Sequence, residues 1–367
     1  TGTSIPQLTV PMVKKNAIVC LPPLEEQKAI VSIVNQLFAE VEQLEAATKE
    51  RVRLKEDYVT SALRQLTEGN TAQEWAALQP HFKTFFTETK NIKTLRESIL
   101  QLAVQGKLTA KWRAAHGPCL PQGGASASGG RGGIEHAADL LERIKAEKAK
   151  LVKAGKLKKE KPLPSITEDE IPYALPEGWA WCRLGNGGYT QTGSTPPKKN
   201  PEFYGDFIPF IGPADISNQW MKYPSDGLSV KGIEVGRLIP KGSIMMVCIG
   251  GSIGKCNVNE IDVSCNQQIN TITPIQIPSD FLKTICQSPY FQREVLDKST
   301  GSATPIINKG KWESIIVPIA PLEEQKAIVQ KVNALMVLCD KLENEIETLQ
   351  HTHEEWMRSC LGEIDKN

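Results

Sequence analysis

Two short strings in this sequence come close to catalytic motifs, and both lack residues that the chemistry requires. Residues 200–203 read Asn-Pro-Glu-Phe, which approaches the Asn/Asp-Pro-Pro-aromatic turn of adenine methyltransferases but has glutamate at the second proline position. Residues 250–255 approach a phosphate-binding loop, yet they lack the G-x4-G-K-[ST] spacing and are followed by Cys256. We find no nucleophile–base set and no cluster of carboxylates with a lysine. The sequence therefore predicts that this chain is not an enzyme.

Histidine and cysteine positions do not form a metal-binding pattern. His351 and His353 are two residues apart, and on a helix such residues face in different directions. The nine cysteines are scattered and contain no CxxC pair. This usage indicates reduced thiols in the cytoplasm rather than disulfides or zinc. We therefore predict no metal ion and no other cofactor.

Polar loops point to binding, because DNA recognition uses Arg, Lys, Asn, Gln or Ser on segments that reach base edges and phosphates. Residues 192–200 and 300–311 offer such side chains. The candidate DNA-binding residues are Thr195, Lys198, Lys199, Asn200, Lys255, Ser302, Asn308, Lys309 and Lys311. For any one of them, ordinary polar turn chemistry is an equally good explanation. Residues 266–268, Asn-Gln-Gln, are interpreted as hydrogen-bonding inside the domain rather than to DNA.

Length and composition limit the class of protein. With 367 residues and 40% hydrophobic content, the chain exceeds one average domain and can bury a core. The net charge of +1 does not by itself indicate a nucleic-acid partner. There is no run of eighteen apolar residues and no signal-peptide pattern, which predicts a soluble protein.

The sequence contains an internal repeat. Residues 23–31 and 321–329 have the same nine letters, Pro-Leu-Glu-Glu-Gln-Lys-Ala-Ile-Val, and matches continue at the same offset over more than forty positions. Such a self-match indicates a duplicated element. Prolines and glutamates at the start of each copy suit the first turn of a helix.

Apolar residues in both copies recur at steps of four and three, the heptad rhythm of a two-helix contact. Neither helix can bury its apolar stripe alone, so we predict that the copies pack antiparallel, within one chain or between two. The predicted packing residues are Ile30, Val34, Leu37, Val41, Leu44, Ile328, Val332, Leu335, Leu342, Ile346 and Leu349.

The segment between the two copies changes along the chain in composition and in the spacing of its apolar residues. Residues 67–91 are interpreted as a packed hairpin or a small helical insertion, and residues 92–112 as a helix. Residues 134–161 predict a basic amphipathic helix. Lysines at 156–161 could contact phosphates, although a solvated lysine face is the more common explanation.

From residue 173 onward, short apolar runs alternate with Gly, Pro and Asn, which is typical of a compact α+β domain rather than an alternating βαβ series. A helix is predicted at 279–296. The predicted strands are 207–211, 243–249, 255–259 and 269–275.

Several of these strings together resemble a known family. Pro-Leu-Glu-Glu-Gln-Lys begins both copies, at 23–28 and 321–326, while 175–179 read Leu-Pro-Glu-Gly-Trp and 108–113 read Leu-Thr-Ala-Lys-Trp-Arg. The combination resembles the specificity subunit of Type I restriction–modification systems over nearly the whole chain. In that family, two target-recognition domains each read half of a split DNA site, and two conserved antiparallel helices hold them apart.

The resemblance implies an α+β fold, with a globular target-recognition domain and two long conserved helices packed as an antiparallel coiled coil. It implies a chain without catalytic activity or cofactor. The implied partners are double-stranded DNA, methyltransferase (modification) subunits and, through them, restriction subunits, with no membrane contact. Two alternatives stay open: a coiled-coil adaptor that binds only protein, and a half-length subunit that acts as a homodimer.

The start of the chain resembles the segment before the second copy, since the Thr-Gly, Pro and Ile-Val of residues 1–20 track residues 300–320. We expect the chain to begin inside the tail of a first recognition domain; a native N-terminus that has lost its Met is the alternative. The expected organisation is a remnant of that domain at 1–20, a central conserved helical region at 21–116, a flexible linker at 117–133, a basic helix and Pro-rich connector at 134–172, a recognition domain at 173–320, and a spacer helix at 321–367.

Overall fold

The computed structural model describes residues 21–116, 135–301 and 303–364 of this chain. Helices and sheets are both present, which confirms the α+β class. The expected N-terminal remnant, the expected linker and Ser302 lie outside the described residues. The chain divides into two compact units between Val59 and Thr60, and each unit is described by itself. Within the described residues, no helix is long and apolar enough to cross a membrane.

Both copies of the repeat are helices, as predicted. The first is α1 (Leu24–Glu68), in which pairs three or four residues apart, such as Lys49 Nζ to Glu45 Oε1 at 2.7 Å and Arg53 to Glu50 at 2.6 Å, support an exposed helix. Its predicted packing residues, Ile30 to Leu44, are between 40% and 69% exposed. The coiled-coil pairing of the two copies therefore remains a prediction.

Shorter helices follow, and two of them are followed by a glycine in a left-handed conformation. They are α2 (Thr71–Leu78), α3 (Phe82–Phe85), α4 (Thr89–Val104), α5 (Ala110–His116) and α6 (Ala137–Lys153). The predicted helix at 92–112 ends early because Gly106 adopts a φ of 68°, a left-handed conformation typical of helix C-termini. In the same way, Gly155 (φ 71°) follows the end of α6, well before residue 161.

The second copy is α11 (Leu322–Ile364), and its partner within the second unit is α4. Ile328, Val332 and Ile346 are 0%, 4% and 7% exposed. Arg96 on α4 donates to Asp340 at 2.7 Å and to Glu343 at 2.6 Å, which fixes the register. The sequence analysis predicted that the first copy covers the apolar side of α11. In the structure, α4 covers much of it, because α4 has an apolar face of its own.

Not all of the predicted stripe on α11 is covered. Leu335 and Leu342 are half-buried, and Leu349 is 71% exposed. Thr109, just before α5, donates to Glu324, and Glu88, just before α4, accepts from Gln350. Helix α11 continues beyond Gln350 to Ile364.

The rest of the second unit is built from short strands and helices. Its strands are β1 (Ala180–Arg183), β2 (Gly188–Thr192), β3 (Tyr204–Gly205), β4 (Ile208–Ile211), β5 (Gly227–Leu228), β6 (Ile244–Val247), β7 (Cys256–Val258), β8 (Ser264–Cys265), β9 (Ile269–Pro274) and β10 (Ile316–Ile319). Its helices are α7 (Val230–Val235), α8 (Ser279–Gln287), α9 (Pro289–Lys298) and α10 (Lys309–Glu313). The four predicted strands are confirmed. The helix predicted at 279–296 is two helices, because Ser288 caps a new helix that begins at Pro289.

Two four-stranded sheets and one strand pair organise this part of the chain. One sheet has the antiparallel order β2-β9-β6-β7, and the other has the order β3-β5-β4-β8 with β4 and β8 parallel. A buried cluster that includes Ile211, Met245, Val247, Cys265 and Ile269 draws residues from both sheets. The strands therefore share one core.

Strand β1 pairs with β10, with Ala180 opposite Ile319. This pair brings the beginning of the β-rich region next to its end. As a result, Trp179, just before β1, lies close to the first turn of α11, just after β10.

Candidate nucleic-acid interface

The loops that carry most candidate residues leave one end of the β2-β9-β6-β7 sheet. Thr192 at the end of β2 is opposite Asn270 near the start of β9, and Met246 near the end of β6 is opposite both Asn270 and Cys256. Because adjacent strands are antiparallel, segments 193–200, 248–255 and 266–268 emerge together. We call this region the sheet end.

Loop 193–200 is fixed at its base by backbone hydrogen bonds. Gly193 N donates to Ile269 O at 2.9 Å, and Ser194 N donates to Cys265 O at 2.8 Å. A Cβ at position 193 would lie 2.1 Å from Asn266 O and 2.4 Å from Cys265 O. Only glycine fits this close approach, so the loop starts from a defined position.

The tip of the loop presents candidate residues to solvent. Lys198, Lys199 and Asn200 are exposed, and neither lysine has a side-chain hydrogen bond or ion pair to another described residue. Thr195 Oγ1 donates to Gln267 Oε1 at 2.6 Å, so its hydroxyl holds the loop against the neighbouring turn. Residues 201–203 form a 3-10 turn that begins after Asn200, which accounts for the Asn-Pro-Glu-Phe string as local structure.

The glycine-rich segment 250–255 is a tight turn in which four of the six backbone amides donate within the protein. Gly250 N donates to Pro305 O at 2.9 Å, Gly254 N to Val247 O at 2.9 Å and Lys255 N to Ser252 O at 3.2 Å. A phosphate loop needs free amides that converge on the anion, and these donors already have acceptors. The turn therefore does not provide that chemistry, but it leaves the Lys255 side chain exposed.

Thr300, Ile306 and Ile307 lie beside this turn. Thr300 and Ile306 exchange backbone hydrogen bonds of 2.9 and 2.8 Å, and Ile307 N donates to Cys248 O at 3.0 Å. The structure thus brings the two polar stretches of the sequence analysis to the same sheet end. Ser302, a predicted DNA-binding residue of this segment, lies outside the described residues.

Residues 266–268 hydrogen-bond inside the domain, as the sequence analysis favoured. Asn266 Oδ1 accepts from Gln268 N at 3.0 Å, and Asn266 Nδ2 donates to Gln268 Oε1 at 3.1 Å. Gln267 Oε1 is the acceptor for Thr195. These amides stabilise the turn that supports the loop, although Gln267 is itself exposed.

Three other candidates, Asn308, Lys309 and Lys311, have hydrogen-bond partners within the chain. Asn308 caps α10 by accepting from Lys311 N at 2.9 Å. Lys309 Nζ lies 2.5 Å from Glu313 Oε2 and donates to Thr190 Oγ1 at 2.8 Å. Lys311 Nζ donates to Lys298 O at 3.1 Å near the end of α9. Their side chains stabilise local structure, so we leave them out of the interface proposed below.

Arg237 was missed by the sequence analysis. It is exposed, and its NH1 donates to Thr192 O at 2.6 Å, at the root of loop 193–200. A cation tied to this loop could contact a phosphate or a base edge. No periodicity or motif surrounds residue 237, so only the fold reveals its position.

The described part of the sheet end has no reactive thiol and no set of side chains that could hold a metal ion. Burial raises the pKa of the Cys248, Cys256 and Cys265 thiols to about 12, so they are protonated near neutral pH. Among the described residues, no group of three or more His, Cys, Asp or Glu side chains is arranged to hold a metal ion. What this end offers is binding through cations, amides and hydroxyls.

A buried hydrogen-bond network connects three segments named in the sequence analysis, 108–113, 175–179 and 321–326. Glu324, fully buried at the start of α11, accepts from Thr109 Oγ1 at 2.6 Å and from Trp179 Nε1 at 2.8 Å, and it pairs with Arg113. Gln325 Nε2 donates to Ala320 O at 2.8 Å beside it. This buried carboxylate fixes α5, the start of β1 and α11 to one another, so it is structural rather than catalytic.

Known proteins resemble this chain in sequence and in structure. Residues 176–350 match the family model described as the Type I restriction modification DNA specificity domain. The crystal structure of the HsdS subunit from Thermoanaerobacter tengcongensis aligns with a TM-score of 0.42 and 19% identity, over 96% of this chain and 62% of that one.

Two curated relatives come from Escherichia coli. The specificity subunit of the Type I restriction enzyme EcoAI is 30% identical over 363 residues, covering 92% of this chain and 56% of that protein. The EcoEI specificity subunit is 27% identical over 366 residues, covering 92% and 57%. The chain thus spans slightly more than half the length of these relatives. Residues 176–350 thus match the Type I restriction modification DNA specificity domain, and the chain as a whole is similar to the specificity subunits of Type I restriction enzymes.

Proposed function

We propose that this chain supplies DNA sequence specificity to a Type I restriction–modification complex without performing catalysis itself. In this proposal, the region 173–320 reads one half of a bipartite target through the sheet end. The observation that carries the proposal is that loops 193–200 and 248–255 meet Thr300, Ile306 and Ile307 at one end of a single sheet, within the DNA specificity domain match.

The side chains at this end suit duplex DNA. Lys198, Lys199 and Lys255 are exposed cations that can neutralise phosphates, while Asn200 carries an amide able to pair with a base edge. Phosphate contacts would position the domain, and amide contacts would contribute to the choice of sequence.

The long helices serve assembly in this proposal. The apolar stripe of α1 is exposed from Ile30 to Leu44, which supports docking of another helical protein. We propose that methyltransferase subunits dock in this part of the complex, with restriction subunits joining through them. A second copy of this chain, pairing through the same stripe, is the homodimer alternative.

A selection experiment tests the function. The purified chain is incubated with a random library of short duplexes, and the bound fraction is sequenced. We expect enrichment of a short half-site motif, and Lys198→Ala with Lys199→Ala weakens binding to enriched and unrelated duplexes alike, because these side chains contact phosphates. Enrichment of no motif overturns the proposal.

A block exchange locates recognition. Residues 173–320 are replaced by the corresponding block of a relative, and the chimera is assembled with methyltransferase subunits. Mapping of methylated sites should show a new half-site with unchanged spacing. If the parental half-site persists, recognition lies elsewhere in the chain.

A protein-binding coiled-coil adaptor is the second candidate. The net charge of +1 and the exposed stripe of α1 favour it. It predicts a helical protein partner together with no salt-dependent affinity for duplex DNA, so the same selection experiment separates the two functions.

A further inference from the structure

The most basic part of the chain lies outside the sheet end. Residues 143–161 hold nine lysine or arginine residues and two glutamates, a net charge of +7, whereas the whole chain carries +1. This stretch covers most of α6 and the irregular segment that follows it. Segment 153–161, which we call the lysine strap, contains Lys153, Lys156, Lys158, Lys159 and Lys161.

Ion pairs account for the cations of α6 from Arg143 to Lys150 but not for those of the strap. Lys145 pairs with Glu142 at 3.2 Å, and Lys148 pairs with Glu160 at 2.6 Å. By contrast, the five strap lysines are exposed and have no side-chain hydrogen bond or ion pair to another described residue. Such a concentration of like charge costs free energy unless an anion is present.

Glu160 anchors the strap to the body of the domain. Its carboxylate accepts from Lys148 Nζ at 2.6 Å and from Thr190 N at 3.2 Å. Thr190 lies on β2, two residues before the root of loop 193–200, and its Oγ1 donates to Glu313 at 2.6 Å. Glu160 is therefore turned inward, and the lysines on either side of it stay outside.

A second anchor follows the strap. Buried Arg183 donates to Pro164 O at 3.2 Å and to Ser165 O at 3.0 Å, and it forms an ion pair with Glu170 at 2.7 Å. Between the two anchors, the strap and α6 border a groove of about 890 Å³ whose lining includes Lys145, Lys158 and Lys159. The strap is thus a positioned surface rather than a loose tail.

We propose that the lysine strap binds the sugar–phosphate backbone of duplex DNA, as a sequence-independent contact in addition to the sheet end. The proposal rests on the proposed function, since it assumes that the same chain engages DNA. Lysine can pair with phosphates as a mobile point charge, and such a contact does not distinguish one base sequence from another.

An acidic protein is the competing partner for a basic surface, and the composition of the strap argues against it. Protein interfaces are depleted in lysine at their core and depend on aromatic, Met or Arg side chains in apolar pockets. Segment 153–161 contains no aromatic residue, Met or Arg. Its anchor on β2 also ties it to the strand that leads into loop 193–200.

The test compares the full chain with two triple variants of equal charge change. The strap variant carries Lys158→Gln, Lys159→Gln and Lys161→Gln. The control variant carries Lys83→Gln, Lys93→Gln and Lys341→Gln, at exposed lysines that likewise lack a side-chain partner among the described residues. Affinity for a half-site duplex and for an unrelated duplex is measured between 0.05 and 0.3 M salt, and circular dichroism verifies folding.

We expect the strap variant to lose about eightfold in affinity at 0.1 M salt per lost contact, with a salt slope shallower by about 0.9 per contact, on both duplexes alike. The control variant keeps the wild-type slope. A wild-type slope in the strap variant, or an equal change in the control, overturns the proposal. Binding of polyglutamate by the wild type, lost in the strap variant while DNA affinity is unchanged, also overturns it in favour of an acidic protein.

The two proposals fail in different ways. If the chain selects a half-site motif and the strap variant binds DNA like the wild type, only the strap proposal fails. If the strap variant loses affinity but the random library yields no motif, the sequence-specificity proposal fails and the strap proposal stands.

Discussion

Removing the buried carboxylate at the start of α11 should destabilise the chain far more than removing its counterpart in the other copy of the repeat. Glu324 is 0% exposed and is held by Thr109, Arg113 and Trp179, whereas Glu26 occupies the same place in the same nine residues and is exposed. Glu324→Ala leaves a partly buried guanidinium and an indole N–H without their acceptor. Breaking such a buried pair costs about 3–5 kcal/mol, whereas an exposed substitution changes the free energy of unfolding by about 0.5 kcal/mol or less.

Urea unfolding, followed by circular dichroism and tryptophan fluorescence, measures the difference. With a slope of about 3 kcal/mol per molar urea, Glu324→Ala should lower the midpoint by about 1–1.7 M, and Glu26→Ala should leave it nearly unchanged. Trp179→Phe removes one donor to the carboxylate and should cost about 1.5–3 kcal/mol. If Glu324→Ala folds poorly, Glu324→Gln provides an isosteric variant with a smaller loss. Equal midpoint shifts for the two alanine variants would refute the reasoning.

Three further predictions test other parts of the structure. Hydrogen bonding to Arg183 lowers the pKa of Glu170 from 4.5 to about 2, so the stabilisation from this pair is present above pH 4.5 and is lost as the pH falls toward 2. Because Glu170 is 33% exposed, Glu170→Gln should cost only about 1–2 kcal/mol at pH 6 and almost nothing near pH 2. A loss of unfolding free energy that is the same at both pH values contradicts this. Gly193→Ala places a Cβ 2.1 Å from the backbone oxygen of Asn266. The displaced loop should lower duplex affinity at least about tenfold in a binding titration. An unchanged affinity would show that loop 193–200 does not contact DNA. Ile328→Asp buries an unpaired charge at a 0% exposed position and should cost more than about 3 kcal/mol, while Ile30→Asp, at 46% exposure, should leave the unfolding midpoint almost unchanged.

The sequence determined most elements of the fold, because the patterns involved are local. Steps of four and three predicted α1 and α11, and short apolar runs predicted β4, β6, β7 and β9. Element ends were less accurate, since they depend on single capping residues such as Gly106 and Ser288. The repeated motif also indicated the family.

The tertiary structure decided which of the candidate residues lie together. Lys198 and Lys255 are far apart in sequence, and antiparallel pairing brings their loops to one end of a sheet. The same packing gives Lys309 a partner within the chain and leaves Arg237 exposed at the root of a loop. Sequence pattern could not separate these lysines, because the difference lies in distant residues that contact them.

The repeat shows this limit most directly. Residues 23–31 and 321–329 are identical, and both begin long helices. Yet Glu26 is exposed while Glu324 is buried in a network with three other side chains. Helix formation follows from the local sequence, which the two copies share. Burial follows from the neighbours that packing supplies, and only the second copy has α4, α5 and Trp179 against it within its unit.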